Sequence, residues 1–400
     1  MLPFDPTDPA FIRNPYPTYA DLQRETPVFF FEGWNKWLLT RYHDITALLR
    51  DRRLGRVIDR QPGEAPPENP ARAPFDAIQQ GSLLEIEPPD HTRIRTVVQQ
   101  VFTPKHVRAL GARIEALCRR LVDRLEATAG READLITAFA EPLPVTVIAD
   151  LLGIPEGDRF RLLPWSKGII GMFEPERTPA MEERAVRAAA EFAAYVRTLM
   201  AEKRRHPQDD LISRMVCACD EDPDLISESE VVANCILFLN AGHEAVVNVI
   251  ANGMLALLSH PEELARLRED PELVGSAVEE MMRYDTPLQF FERFVLEDME
   301  FRGHHFDRGQ KLCLYYAAAN RDPEVFEDPQ RFDITRNPNP HIAFGLGVHY
   351  CIGAPLARLE LAAAIRELLT RLPGLQLVTS EPRYQPKNVF RYLTELRVAY

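Results

Sequence analysis

Long apolar runs are missing from this 400-residue chain. No stretch approaches the ~18 consecutive apolar residues that cross a bilayer, so no membrane insertion is expected. The start, Met1-Leu2-Pro3-Phe4-Asp5-Pro6, has neither a basic n-region nor an apolar h-region, and no secretory signal is expected. Cysteine is sparse. Cys118, Cys217, Cys219, Cys235, Cys313 and Cys351 lack the density and pairing of a disulfide framework. Cys217-Ala218-Cys219 is the one close pair, and it has neither zinc-finger spacing nor a nearby histidine. Free thiols in a reducing cytosol follow, and with them a cytoplasmic location. Positive charge is also short: 47 Lys and Arg against 60 Asp and Glu leave −13. That balance argues against a nucleic-acid binder, which would carry a basic stripe. It leaves room for a local basic patch, because net charge does not fix distribution. Internal repeats and low-complexity linkers are absent.

What is present reads as an ordinary globular chain, 46% hydrophobic and 27% charged. Length alone allows two to four domains at about 100–200 residues each. The 33 prolines are scattered, which suits loops between many helices. Tyr19-Ala20-Asp21-Leu22 belongs to a helix that opens on Pro17. Val28-Phe29-Phe30-Phe31 and Trp37-Leu38-Leu39-Thr40 flank Glu32-Gly33-Trp34-Asn35 and predict a β-hairpin. Residues 60–90, rich in Pro, Gly, Glu and Arg, predict a long loop with at most one short helix. From Asp90 to Arg214 apolar residues recur at three- and four-residue steps, as at Ile114, Leu117, Leu121 and Leu125, and predict helices.

Ser227-Glu228-Ser229-Glu230 marks a helix start with acids at its positive end. The stretch from Val231 to Leu258 then predicts one apolar helix of ~28 residues, about 42 Å long. Its polar insertions (Asn234, Asn240, His243, Glu244, Asn248, Asn252) exclude a membrane span, so it belongs in the core. After residue 285 come short strand-like runs (Phe294-Val295-Leu296, Lys311-Leu312-Cys313-Leu314), a proline-rich loop, a helix near 355–372 and C-terminal strands. The fold class is mainly α with a minor β part and small sheets.

Residues 344–353 read Phe344-Gly345-Leu346-Gly347-Val348-His349-Tyr350-Cys351-Ile352-Gly353. Glycines around the cysteine let the backbone approach closely and aim N–H groups at sulfur. A helix beginning just beyond places its positive end near Cys351, which favours thiolate over thiol. A thiolate so held and shielded by Phe344 suits a soft-ligand metal site.

This segment closely resembles the haem-ligand signature of the cytochrome P450 superfamily, Phe-Gly-x-Gly-x-His-x-Cys-x-Gly, at each fixed position. The resemblance implies one domain over 1–400, with a long core helix crossing haem b (iron protoporphyrin IX). It makes Cys351 the axial metal ligand, within a cofactor-binding loop that includes Phe344, Gly345 and Gly353. An axial thiolate favours O–O cleavage. Glu280-Met281-Met282-Arg283 puts a carboxylate and a guanidinium on one helical face. By resemblance it is the family's core ion pair, completed by a loop residue, Arg331 by choice and Arg336 as the alternative. Asp90-His91-Thr92-Arg93-Ile94-Arg95 reads by itself as an exposed basic turn. By resemblance His91 and Arg95 hold the haem propionates, with Arg293 and His349 at two further propionate positions.

In the core helix, Ala241 and Gly242 leave room for a flat cofactor where oxygen binds. Family members usually carry Ala/Gly-Gly-x-Asp/Glu-Thr there, the acid and the hydroxyl organising protons. Glu244 matches the acid, but Ala245 stands at the threonine position and can neither donate nor accept. Three accounts are open: a substrate hydroxyl or a water it pins, a water held by Asn248, or chemistry that tolerates poor proton delivery. The expected pocket includes Leu237, Ala241, Leu288, Gln289, Phe290, Phe291, Val389 and Phe390, with the loop at 60–90 and the region near 165–185. The implied activity is insertion of one oxygen atom from O2 into a small apolar organic substrate, by hydroxylation or epoxidation. A separate ferredoxin-type electron donor is expected, since no reductase domain follows Tyr400. Arg95, Lys105, Arg108 and Arg358 would form its docking cluster. The alternatives are a peroxide-driven oxygenase and a non-oxygenating haem sensor or electron carrier.

Overall fold

The organising element of the computed structural model is one helix, Glu228–Ser259, of 32 residues. The structure describes residues 4–58, 69–378 and 381–400, so the 60–68 part of the expected loop lies outside the described residues. The core helix begins in a reciprocal cap. The Ser227 hydroxyl accepts from Glu230 N at 3.3 Å, and Glu230 Oε2 accepts from Ser227 N at 2.7 Å. Two orphan amides are satisfied this way, and the acids in the first turn favour the positive end. The helix is long and apolar enough to cross a membrane, but 78% of its most apolar window is buried as protein core. It starts three residues earlier than the hydrophobic pattern alone indicates, because the cap, not the first valine, sets its origin.

The chain folds as two compact units, residues 1–54, 108–143 and 245–400, and residues 55–107 and 144–244. The first unit holds the β-structure. Val28–Phe31 and Lys36–Leu39 form the expected hairpin, joined through the 3-10 turn Glu32–Trp34. Lys36–Leu39 pairs in parallel with Lys311–Leu314, which pairs antiparallel with Phe291–Val295. That last strand falls earlier than the run at 294–296. A second small sheet pairs Glu132–Asp134 and Gln376–Leu377 on either side of Arg397–Ala399, placing a short strand within the stretch read as helical. Leu38, Leu39, Leu312 and Leu314 are fully buried between the main sheet and its helices. Each such side chain contributes roughly 1.5–3 kcal/mol of hydrophobic stabilisation. The helices Val274–Tyr284 and Ala354–Arg371 of this unit carry the ion pair and follow the cysteine, respectively.

The second unit is helical. Pro179–Arg205 starts at Thr178, whose hydroxyl accepts from Met181 N. It packs closely on Leu162–Ile170, where a Cβ on Gly168 would stand 3.0 Å from Ala188 Cβ. Trp165 stacks on Phe192 with centroids 4.9 Å apart, and Ile169 is fully buried. The apolar side chains near 165–170 are therefore committed to helix packing. Ala73–Gln79 is the one short α-helix that the 60–90 segment shows among the described residues.

Candidate functional site

The cysteine loop is shaped by two left-handed glycines. Gly345 has φ +67° and Gly347 φ +76°, and a Cβ on Gly347 would lie 2.4 Å from the Leu49 carbonyl oxygen. Any other residue there meets both backbone strain and a clash with main chain. The loop closes where Cys351 N donates to Phe344 O at 3.1 Å and Gly345 N donates to Ile342 O at 2.8 Å. Helix Ala354–Arg371 begins three residues after the sulfur. Cys351 is partly buried, while Cys118, Cys235 and Cys313 are fully buried. Burial, with Glu360 nearby, pushes the Cys118 thiol up to about 12, so it stays protonated.

Arg283 is fully buried and donates twice to Glu280, at 2.7 and 2.8 Å. Its remaining donors reach the carbonyls of Asn320, Pro329 and Arg331 at 2.9–3.0 Å. The third charge of the network is Arg336, whose Nε stands 3.3 Å from Glu280 Oε2. Arg331, the expected partner, is exposed and contributes only its carbonyl. The reason is local: Asp328 turns the chain with φ +43°, and the Arg331 carbonyl, not its side chain, comes to the guanidinium. Arg336→Ala should therefore lower the unfolding free energy in urea clearly, while Arg331→Ala leaves it within about 0.5 kcal/mol, as for an exposed side chain. Equal effects would contradict this assignment. Asn320 links the ion pair to the cysteine loop, since its Oδ1 accepts from Ile342 N at 2.8 Å and its Nδ2 donates to Thr286 at 2.8 Å.

Glu279, next to Glu280, was not singled out by sequence. It accepts two hydrogen bonds from Arg358, at 2.6 and 2.8 Å, and one from His341 Nε2 at 3.0 Å. Burial pushes its carboxyl up, but those bonds outweigh it and hold Glu279 at about 2. The Arg358 guanidinium also lies 4.6 Å over the Phe344 ring. Arg358 is thus ion-paired within the fold, with its side chain still 38% exposed.

On helix Asp90–Val98, His91 is buried and Arg95 half-buried on the same face. Arg93 is ion-paired to Glu230 at 2.7 Å. The segment is therefore not an exposed basic turn. Arg293 is 5% exposed and donates to the Glu292 carbonyl at 2.9 Å, and His349 is half-buried in the 3-10 turn Gly347–His349.

Within the core helix, Leu237, Ala241 and Ala245 recur at four-residue steps and are less buried than their neighbours, with Ala241 exposed. Gly242 answers a different constraint: a Cβ there would meet Ile148 at 2.9 Å, so helix packing accounts for its size. Glu244 is buried, with Oε1 3.3 Å from His243 Nε2, a contact without hydrogen-bond alignment. His243 Nδ1 donates to Leu239 O at 2.8 Å. Two expected pocket residues are used elsewhere. Phe290 packs between Trp34 and Tyr315, and Gln289 bonds Tyr19 and the Thr286 carbonyl. Leu288, Phe291 and Phe390 remain partly exposed, Val389 is 9% exposed, and Leu288 bridges Phe390.

One partly buried thiol in a glycine turn, just before a helix start, suits a soft metal ligand. The comparisons agree. The model of the cytochrome P450 family matches residues 56–386. The chain is 38% identical over 392 residues to the biotin biosynthesis cytochrome P450 of Bacillus subtilis (strain 168), covering 98% of this chain and 97% of that one. It is 39% identical over 396 residues to the cytochrome P450 monooxygenase PikC of Streptomyces venezuelae, covering 98% and 92%. Among solved structures, that of P450BioI in complex with hexadec-9Z-enoic acid ligated acyl carrier protein aligns with a TM-score of 0.91 at 37% identity, covering 98% of this chain and all of that one. The chain belongs to the cytochrome P450 family. It is accordingly a haem b monooxygenase, an oxidoreductase that acts on an organic substrate with O2.

Proposed function

We propose that residues 1–400 work as one cytoplasmic haem-thiolate monooxygenase unit that hydroxylates or epoxidises a small apolar substrate, with Cys351 as the thiolate that would hold the haem iron. The observation that carries this reading is the cysteine loop, held by the Phe344–Cys351 backbone bond and by glycines that admit no side chain. Bound haem supplies the activation of dioxygen, using two electrons and two protons. The chain's own residues do the rest. His91, Arg95, Arg293 and His349 would hold the propionates, Glu244 would hold a proton for the oxygen chemistry, and Leu237, Ala241, Leu288, Phe291, Val389 and Phe390 would exclude water. Electrons arrive from a separate ferredoxin-type donor, for which Lys105 and Arg108 offer exposed charge.

Ala245 leaves the distal side without the usual hydroxyl, and a substrate hydroxyl or a water it pins takes that role. Ala245→Thr is then expected to leave product formed per reducing equivalent unchanged or lower with the native substrate. Poor native coupling that threonine improves would refute substrate assistance. Turnover with a surrogate ferredoxin system and with peroxide, run side by side, separates this reading from a peroxide-driven oxygenase.

A further inference from the structure

The short segment that carries Phe390 is fixed from both sides. Val389 and Arg391 are buried, while Phe390 between them keeps exposed surface and bridges Leu288. The main chain is held first. Gln289 N donates to Val389 O at 2.8 Å, and Arg391 N donates to Pro287 O at 2.9 Å. Asn252 Nδ2, on the core helix, donates to Arg391 O at 3.0 Å. Val389 packs into the aromatic cluster of Phe4, Tyr16, Tyr19 and Phe29. The direction in which Phe390 stands is therefore set by what holds its two neighbours.

The Arg391 side chain is the longest of these holds. It is 8% exposed, and it reaches the first residues of the chain. Nη1 donates to Ile12 O at 2.9 Å, and Nη2 donates to Arg13 O at 2.8 Å. Those carbonyls end the short helix Pro9–Arg13, where no helical amide remains to meet them. Nε stands 2.8 Å from Asp285 Oδ1, which also accepts from Tyr16 OH at 2.6 Å. The guanidinium lies 3.6 Å over the Tyr384 ring. All of these residues belong to one compact unit. An ion pair alone would satisfy a buried charge. Two further bonds in fixed directions, which a planar fork can make and an ammonium cannot, turn the side chain into a strut.

We propose that Arg391 is a positioning residue for substrate selection. It fixes the direction of Phe390, so the segment 12–16 and Asp285 set how bulky an apolar ligand the pocket admits. This rests on the reading that Phe390 lines the substrate pocket. Loosening the strut lets the ring turn, and what changes is the discrimination between slim and bulky ligands.

The test uses the ferric holoenzyme and azoles that bind its iron through nitrogen, read as a red shift of the main absorption band. Imidazole reports access to iron alone, while 4-phenylimidazole, 1-benzylimidazole and clotrimazole add bulk. Phe390→Ala should change the affinity of at least one bulky azole relative to imidazole by about fivefold or more, and so should Arg391→Lys. With Phe390→Ala already present, Arg391→Lys should change that ratio by less than about twofold, because both act through one ring. Tyr16→Phe removes one bond to Asp285 and should shift the ratio in the same direction by about twofold. It takes the place of Arg391→Lys if that variant loads too little haem to titrate. An Arg391→Lys effect that keeps its full size without the Phe390 ring overturns the proposal. So does an unchanged ratio in Arg391→Lys, or in Tyr16→Phe where it stands in, when Phe390→Ala has an effect. If Phe390→Ala moves no ratio, or no bulky azole gives a nitrogen-bound spectrum, the pocket reading fails and the proposal falls with it.

Discussion

Cys351→Ser is expected to fold with a melting temperature near that of the unaltered chain and to lose the red-shifted band of the reduced carbon monoxide adduct. The backbone bond from residue 351 to Phe344 O does not involve the side chain, and the left-handed glycines are untouched. The loop should therefore survive the loss of sulfur. What disappears is the thiolate, the soft donor on which O–O cleavage depends. Oxygen-dependent turnover should fall to background, while total haem measured as its pyridine complex drops by much less. A variant that keeps the red-shifted band would show that another thiol ligates the iron. Cys118, Cys235 and Cys313 are poor candidates, because burial raises all three thiols.

The second large effect is expected at Arg283. Its guanidinium and the Glu280 carboxylate have no exposed side-chain surface, and every contact it makes lies within the core of one unit. Removing one member of a buried pair leaves an uncompensated charge and costs about 3–5 kcal/mol. Stabilities of folded domains are themselves about 5–15 kcal/mol. Arg283→Ala should thus give a large fall in the urea midpoint and poor soluble yield. Arg283→Lys should recover only part of the loss, since an ammonium cannot serve a bidentate carboxylate and three carbonyls in fixed directions. If Arg283→Lys matched the unaltered midpoint, the fork geometry would not matter and the network would be no more than a charge pair.

Much of the site is readable from sequence because its constraints are local. The glycine spacing around Cys351 and the four-residue span from Glu280 to Arg283 survive without knowledge of the fold. The core helix is equally legible, since its cap and its apolar run lie side by side. What escapes is whatever depends on a partner far along the chain. Gly242 reads as room for a cofactor until Ile148 is seen against it. Choosing between Arg331 and Arg336 needs the turn at Asp328, which no periodicity encodes. Gln289 and Phe290 look like lining because they stand between Leu288 and Phe291. The extended chain there turns Phe290 to the aromatic cluster and Gln289 to Tyr19. Arg358 reads as an unpaired charge because its counter-ion, Glu279, belongs to another helix.

Asn320 holds the Arg283 guanidinium through its carbonyl and the segment before Phe344 through its side chain. Its consequence is coupling: the helix Val274–Tyr284 and the ligand loop meet at one residue, so neither can shift without straining a bond to Asn320.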